Sequence, residues 1–162
     1  MTEQQKEFLR LAVEEQKSYD KIEEILGINR DVFSPWWDTF KKEREELSEI
    51  HSIWCQKCPD YNYYEFKKWY INADKACHYC GITTEQLSLL WARYPNLTKR
   101  KRGKKLEIDR REPNLPYNIT DNLVFSCYWC NNAKTDTFSD TEFVKIGQII
   151  KEIWRERLND NR

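Results

Sequence analysis

Six cysteines fall as three Cys-x-x-Cys pairs, Cys55/Cys58, Cys77/Cys80 and Cys127/Cys130, and this spacing constrains the chain more than any other feature. A Cys-x-x-Cys turn is a knuckle that presents two thiolates to one metal ion, and two knuckles complete a closed tetrahedral zinc site. The N-terminus is polar and lacks both the basic and the apolar region of an export signal, which favours metal over oxidation. Cys77, Cys80, Cys127 and Cys130 are therefore predicted to hold a structural Zn²⁺. His51 lies one helical turn before Cys55, so His51, Cys55 and Cys58 supply three ligands of a second zinc, or else the two cysteines are free thiols beside an aromatic core.

At 162 residues the chain has room for one compact domain with a helical appendage. No apolar run approaches the roughly 20 residues that cross a bilayer, so a cytoplasmic protein without a membrane partner is expected. The net charge is zero, but it is unevenly spread. Residues 1–60 carry 9 basic and 14 acidic side chains, a balance of −5, whereas residues 61–135 carry 13 and 7, a balance of +6. A polyanion would be held by the positive half.

Apolar spacing over Glu3–Leu26 predicts two helices interrupted near Ser18. Gly27 closes the second, Asn29 is placed to cap a third, and Ser34-Pro35 offers a further start. Tyr19 to Phe40 thus has the outline of a helix-turn-helix, although only Asn29 and Arg30 suit DNA reading there; the alternative is a helical arm that packs on the rest or on a second copy. Long helices are predicted from Trp36 to Trp54 and from Tyr61 to Ile71, followed by a shorter one from Thr84 to about Arg93. Lys99, Arg100, Lys101, Arg102, Lys104 and Lys105 form a basic loop around Gly103, able to neutralise several DNA phosphates. Two short strands follow, around Leu106–Ile108 and Leu123–Phe125. Asp140 is placed to cap a final helix marked by Phe143, Ile146, Ile149, Ile150, Ile153 and Trp154.

Between and just after the second and third cysteine pairs stand Leu106-Glu107-Ile108-Asp109-Arg110, then Tyr117, then Asp121-Asn122-Leu123, then Cys130-Asn131-Asn132-Ala133-Lys134. In order and spacing this text, over roughly residues 75–147, resembles the HNH endonuclease family. The resemblance implies an α+β, mostly helical chain: a ββα-metal finger held by the four-cysteine zinc site over residues 61–162, with residues 1–60 as an N-terminal helical extension. It also implies that Asp109 and Asn131 hold a catalytic Mg²⁺ or Mn²⁺, that Asn122 braces the hairpin loop, and that Lys134 lies near the scissile phosphate. A hard ion suits such oxygen ligands and keeps waters that a phosphate can displace.

One position departs from the family pattern. Where a general-base histidine usually follows the acidic residue, this chain has Arg110, and no histidine occurs after His78. Arginine stays protonated, but its planar fork suits a phosphate or a pentacovalent transition state, so Arg110 is assigned as a clamp. Some relatives carry Asp-Arg together with a tyrosine further along the loop, and Tyr117 is assigned as the candidate activator of water; Glu107 and Glu112 are the other candidates. Glu107 and Asp109 share a strand face. His78, inside the first knuckle, reads as a surface residue. The implied activity is metal-dependent cleavage of double-stranded DNA in a restriction, homing or phage setting, with a homodimer suited to a palindromic target. The rival reading is a zinc-held DNA-binding module that has lost cleavage.

Overall fold

The computed structural model describes residues 1–118 and 120–159. The chain divides into two compact units, Met1–Pro59 and Asp60–Arg162.

The first unit is helical. Helix α1, Glu3–Leu9, starts from Thr2 in a capping box with Gln5 and runs on as a π-helical turn over Arg10–Glu14. Helix α2, Tyr19–Leu26, is capped by Ser18 and ends at Gly27. A 3₁₀ turn, Arg30–Val32, leads into α3, Phe33–Thr39, which is followed by α4, Lys41–Lys57. The single helix predicted from Trp36 to Trp54 is thus two. Phe40 leaves the helical region at φ −99° and ψ 35°, and its ring joins the core with Trp36 and Trp37. Burial of that aromatic ring outweighs helix continuity, which periodicity alone does not reveal.

That core is Phe8, Leu9, Leu11, Ile22 and Phe33, with Phe8 stacked on Phe33 at a centroid separation of 4.9 Å. Arg30 turns back onto Asp20, and α3 directs Phe33, Trp36 and Trp37 to the core. The helix-turn-helix outline thus turns its aromatic side chains to the core of this unit, and its last helix, α3, carries no basic residue.

In the second unit, α5, Tyr63–Asn72, is capped by Asn62, and Trp69 stacks on Phe125 at 5.3 Å. The first cysteine knuckle follows, then α6, Thr84–Arg93, entered through a capping box of Thr83 and Gln86. Strands β1, Glu107–Arg110, and β2, Leu123–Ser126, pair antiparallel, with Glu107 opposite Ser126 and Arg110 opposite Leu123. Helix α7, Tyr128–Lys134, begins at Cys127. The last helix, α8, spans Asp140–Asn159.

Ser139, rather than the predicted Asp140, caps α8. Its N–H and Oγ donate to Glu142 Oε2 at 3.0 and 2.7 Å, and its carbonyl accepts the Phe143 N–H. Asp140 is occupied by partners distant in sequence, described below. Of the apolar residues that mark α8, Phe143 and Trp154 are buried, whereas Ile149 is 61% exposed.

Two glycines let elements approach where no side chain fits. At Gly103 (φ +91°) a Cβ would lie 2.9 Å from Tyr128 Cβ, and its carbonyl accepts the Trp91 indole N–H at 2.9 Å. The basic loop is thereby pinned at its centre. At Gly147 on α8 a Cβ would lie 2.5 Å from the Tyr79 carbonyl oxygen, so α8 packs directly on the knuckle backbone. Gly147→Ala is expected to destabilise this unit by about 1–3 kcal/mol, the cost of overpacking against an unyielding neighbour, seen in thermal melting as a Tm lower by about 4 °C or more.

Candidate active site

Four buried cysteines lie at the centre of the second unit. The Sγ atoms of Cys77, Cys80, Cys127 and Cys130 are all within 4.8 Å of one another, and Cys80 and Cys127 are 3.7 Å apart. A tetrahedral ion with bonds of about 2.3 Å to sulfur needs sulfur edges of roughly 3.8 Å, so this cage can hold a metal ion such as zinc. None of the six cysteines is in a disulfide. The first knuckle is closed by the Gly81 N–H donating to the Cys77 carbonyl at 2.7 Å. The second is the start of α7. Among the described residues this is the one such cluster. His51 and Cys55 approach to 3.7 Å on α4, but Cys58 turns into an apolar site where burial raises its thiol pKa to about 11, and the three do not assemble.

The knuckle is coupled to the hairpin through Tyr79, which lies between Cys77 and Cys80. Its ring is 1% exposed, and its hydroxyl donates to Asp109 Oδ2 at 3.1 Å. Burial, with the Asp109 charge beside it, holds the Tyr79 pKa far above its ordinary value, so the phenol stays a donor.

Asp109 is 8% exposed. Oδ1 accepts the Arg110 N–H at 2.8 Å, and the Lys134 ammonium is 3.9 Å from Oδ2. Burial raises the Asp109 pKa, against the opposing pull of Lys134, the Arg110 N–H and Tyr79. Each carboxylate oxygen has two acceptor directions, and each here receives one hydrogen bond. One direction on each remains for another ligand.

Lys134, which the sequence puts near the scissile phosphate, is 1% exposed, with Nζ donating to the Arg110 carbonyl at 2.8 Å. In this arrangement its charge acts on Asp109 and on the end of β1. One turn earlier on α7, the Asn131 Nδ2 donates to Glu107 Oε2 at 2.6 Å. Helix α7 thus faces one side of β1 with Asn131 against Glu107 and Lys134 near Asp109. An oxygen donor set of the Asp109 carboxylate and the Asn131 carboxamide fits a hard divalent ion.

At the end of β1, Arg110 is held by three contacts. Its guanidinium donates to Asp136 Oδ1 at 2.9 Å and to the Leu115 carbonyl at 3.4 Å, and it lies over the Tyr117 ring at 4.8 Å. Asn122, 3% exposed, organises the intervening loop. Its Oδ1 accepts the Glu112 N–H at 2.8 Å, and its Nδ2 donates to the carbonyls of Glu112, Leu115 and Pro116 at 3.2–3.4 Å. The Arg111 N–H returns to the Asn122 carbonyl at 2.8 Å. Lys99, Arg100, Lys101, Arg102, Lys104 and Lys105 precede this hairpin in the chain and flank the pinned Gly103, all six of them exposed.

Asp140, absent from the sequence-predicted site, ties the knuckle, the hairpin and α8 together. Oδ1 meets His78 Nε2 at 2.8 Å, Oδ2 accepts from Arg111 at 2.7 and 3.0 Å, and its N–H donates to Glu112 Oε1 at 3.3 Å. His78 is exposed, as expected, and its ring also holds the Asp140 carboxylate. Burial pushes the Asp140 pKa up, but the hydrogen bonds from Arg111 and His78 outweigh it and leave it below the ordinary carboxylate value. A lowered folded-state pKa contributes stability above the unfolded value of about 3.9, and that stability is lost as pH falls through the folded value. Asp140→Asn is expected to cost about 1.5–3 kcal/mol at neutral pH and to flatten the acid limb of a melting-temperature profile. No local pattern marks Tyr79, Asp140 or Asp136, since their partners are remote; the alternation of Glu107 and Asp109 does mark that pair.

No protein-family model matches the chain, and no curated protein matches it. Among solved structures, it is similar to the rare-cutting HNH restriction endonuclease PacI, at 24% sequence identity and a TM-score of 0.54 over 67% of this chain and 80% of that one. The fold is therefore HNH-like, mostly helical with a two-stranded sheet. No helix among the described residues is long and apolar enough to cross a membrane.

Proposed function

We propose that this chain is a metal-dependent endonuclease of the HNH type that hydrolyses phosphodiester bonds in double-stranded DNA. One observation carries most of the reading: β1 and α7 bring Asp109, Glu107 and Asn131 to one side of the hairpin while Arg110 and Tyr117 stack at its end. The likeness in fold to an HNH restriction endonuclease supports it.

Zn²⁺ in the four-cysteine cage is structural, and its binding energy is folding energy. Asp109 and the Asn131 carboxamide oxygen hold Mg²⁺ or Mn²⁺. The chemistry supplied by that ion is stabilisation of negative charge developing on the phosphate and the leaving oxygen. Arg110 exchanges Asp136 for the scissile phosphate and clamps it through its fork. Tyr117, as the phenolate that the Arg110 cation and the metal would favour over the phenol, orients the attacking water and takes its proton at the phenolate oxygen, becoming the neutral phenol. Asn122 fixes the loop that carries Tyr117, and Lys134 holds Asp109 and the Arg110 carbonyl in register. The basic loop binds backbone phosphates without choosing sequence. A homodimer would cut both strands of a palindrome, one site per strand.

A second reading has two observations in its favour. With Arg110 in the histidine position and the Lys134 ammonium already near Asp109, the chain would be a zinc-held DNA-binding module. Gel-shift titrations across a salt series, run in EDTA and in Mg²⁺ beside plasmid cleavage, separate the two. The nuclease reading expects nicking or linearisation in Mg²⁺ only, slowed at least about 100-fold in Tyr117→Phe, the lower range for losing a general base. In both readings, changing Lys99, Arg100 and Lys101 to Ala lowers the salt slope by about one for each phosphate that is no longer neutralised. Metal-indifferent binding without cleavage would leave only the binding module.

A further inference from the structure

Glu107 has no role in the site as proposed above, yet it makes one of the shortest hydrogen bonds there. Its Oε2 accepts the Asn131 Nδ2 at 2.6 Å across the gap between β1 and α7. A carboxylate accepts and does not donate, so the amide edge facing Glu107 must be the NH₂. The opposite edge is then the carbonyl oxygen, whichever way amide atoms are assigned. That Oδ1 accepts no hydrogen bond from the described residues. It is an open oxygen on a side chain whose rotation Glu107 has already fixed.

The register makes this more than an isolated pair. Glu107 and Asp109 point to one face of β1 because strand side chains alternate with a period of two. Asn131 and Lys134 lie one turn apart on the facing side of α7. The Glu107–Asn131 hydrogen bond and the Asp109–Lys134 ion pair are two rungs joining the same two elements.

We propose that Glu107 is a positioning residue for the divalent-ion site, holding the Asn131 carboxamide by its nitrogen so that Oδ1 is the atom presented beside Asp109. This rests on the metal-site reading given above. An unanchored asparagine could turn its NH₂ toward the cation, which repels it, and would lose orientational entropy on ligation. Outer-sphere groups of this kind typically change metal affinity by 10–100-fold.

The test uses the full-length, zinc-loaded chain and reads Mn²⁺ affinity by electron paramagnetic resonance, in which Zn²⁺ is silent, with Tm and zinc content checked for every variant. Glu107→Ala is expected to weaken Mn²⁺ binding about 10-fold or more at unchanged zinc content, and Glu107→Gln, which can turn either amide edge to Asn131, to fall between. In an Asn131→Asp background, where both atoms offered to the ion are oxygens, Glu107→Ala is expected to cause no loss. Wild-type affinity in Glu107→Ala overturns the proposal while the metal site stands. An undiminished loss in the Asn131→Asp background overturns it too, since Glu107 would then be a ligand itself. If wild type binds no Mn²⁺, or Asp109→Ala binds it equally well, the metal-site reading falls and takes the proposal with it.

Discussion

Replacing Cys127 with Ser, or stripping metal with a strong chelator, is expected to unfold residues 60–162. The reason lies in what the core is made of. All four cage cysteines belong to the buried cluster that includes Tyr79, Ile82, Leu87, Leu90, Phe143 and Trp154, and the sheet beside it is two strands of four residues each. A two-stranded sheet is marginal by itself. Structural zinc contributes about 10–16 kcal/mol in small metallodomains, comparable to or larger than the 5–15 kcal/mol by which whole domains are stable. Four buried thiols without a cation would leave that core held by little else. Metal analysis should therefore find one zinc per chain, and chelation should abolish near-ultraviolet circular dichroism from the second unit. The first unit, with its own aromatic core of Phe8, Phe33 and Trp36, is expected to keep helical signal. A chain that loses its zinc and keeps its melting transition would contradict a structural role. Loss of metal should also disturb the hairpin, because Tyr79 connects the cage to Asp109 by a 3.1 Å hydrogen bond.

What could be read from the sequence is what short-range rules determine. Knuckle spacing marked Cys77, Cys80, Cys127 and Cys130, and these come together. Alternation and helical periodicity marked β1, β2, α5 and α6, with ends set by local caps such as Thr83 and Asn62. What could not be read depends on partners far along the chain. The capping preference of an aspartate pointed to Asp140, but its carboxylate is taken by His78, 62 residues away, and by Arg111, 29 residues away. Phe40 breaks a helix that every local signal would continue, because its ring is needed in the core. Motif position put Lys134 near the scissile phosphate; that its ammonium is buried against Arg110 and Asp109 follows from the packing of α7 on β1. The PacI likeness, a TM-score of 0.54 at 24% identity, is one of fold.

The proposed chemistry depends on Asp109 above any other side chain, and the most informative change there is conservative. Asp109→Ala would orphan the Tyr79 hydroxyl and leave the Lys134 ammonium, 1% exposed, without its counter-charge, at a cost of several kcal/mol unrelated to catalysis. Asp109→Asn keeps the side-chain shape and an acceptor for Tyr79, but it too takes the counter-charge from Lys134, so its melting temperature is compared with wild type before cleavage is read. Cleavage in this variant is expected to fall at least about 10²–10³-fold, the scale of losing one preorganised electrostatic interaction in a transition state, while DNA binding by the basic loop persists. The deciding measurement is cleavage of supercoiled plasmid by the zinc-loaded protein in Mg²⁺, in Mn²⁺ and in EDTA, with wild type and Asp109→Asn side by side and zinc content verified in both. Nicked or linear product from wild type with Mg²⁺ or Mn²⁺, none in EDTA, and little from Asp109→Asn is the predicted result. Intact plasmid with every metal, or equal cleavage by the two proteins, would contradict the assignment of Asp109 to a nuclease centre.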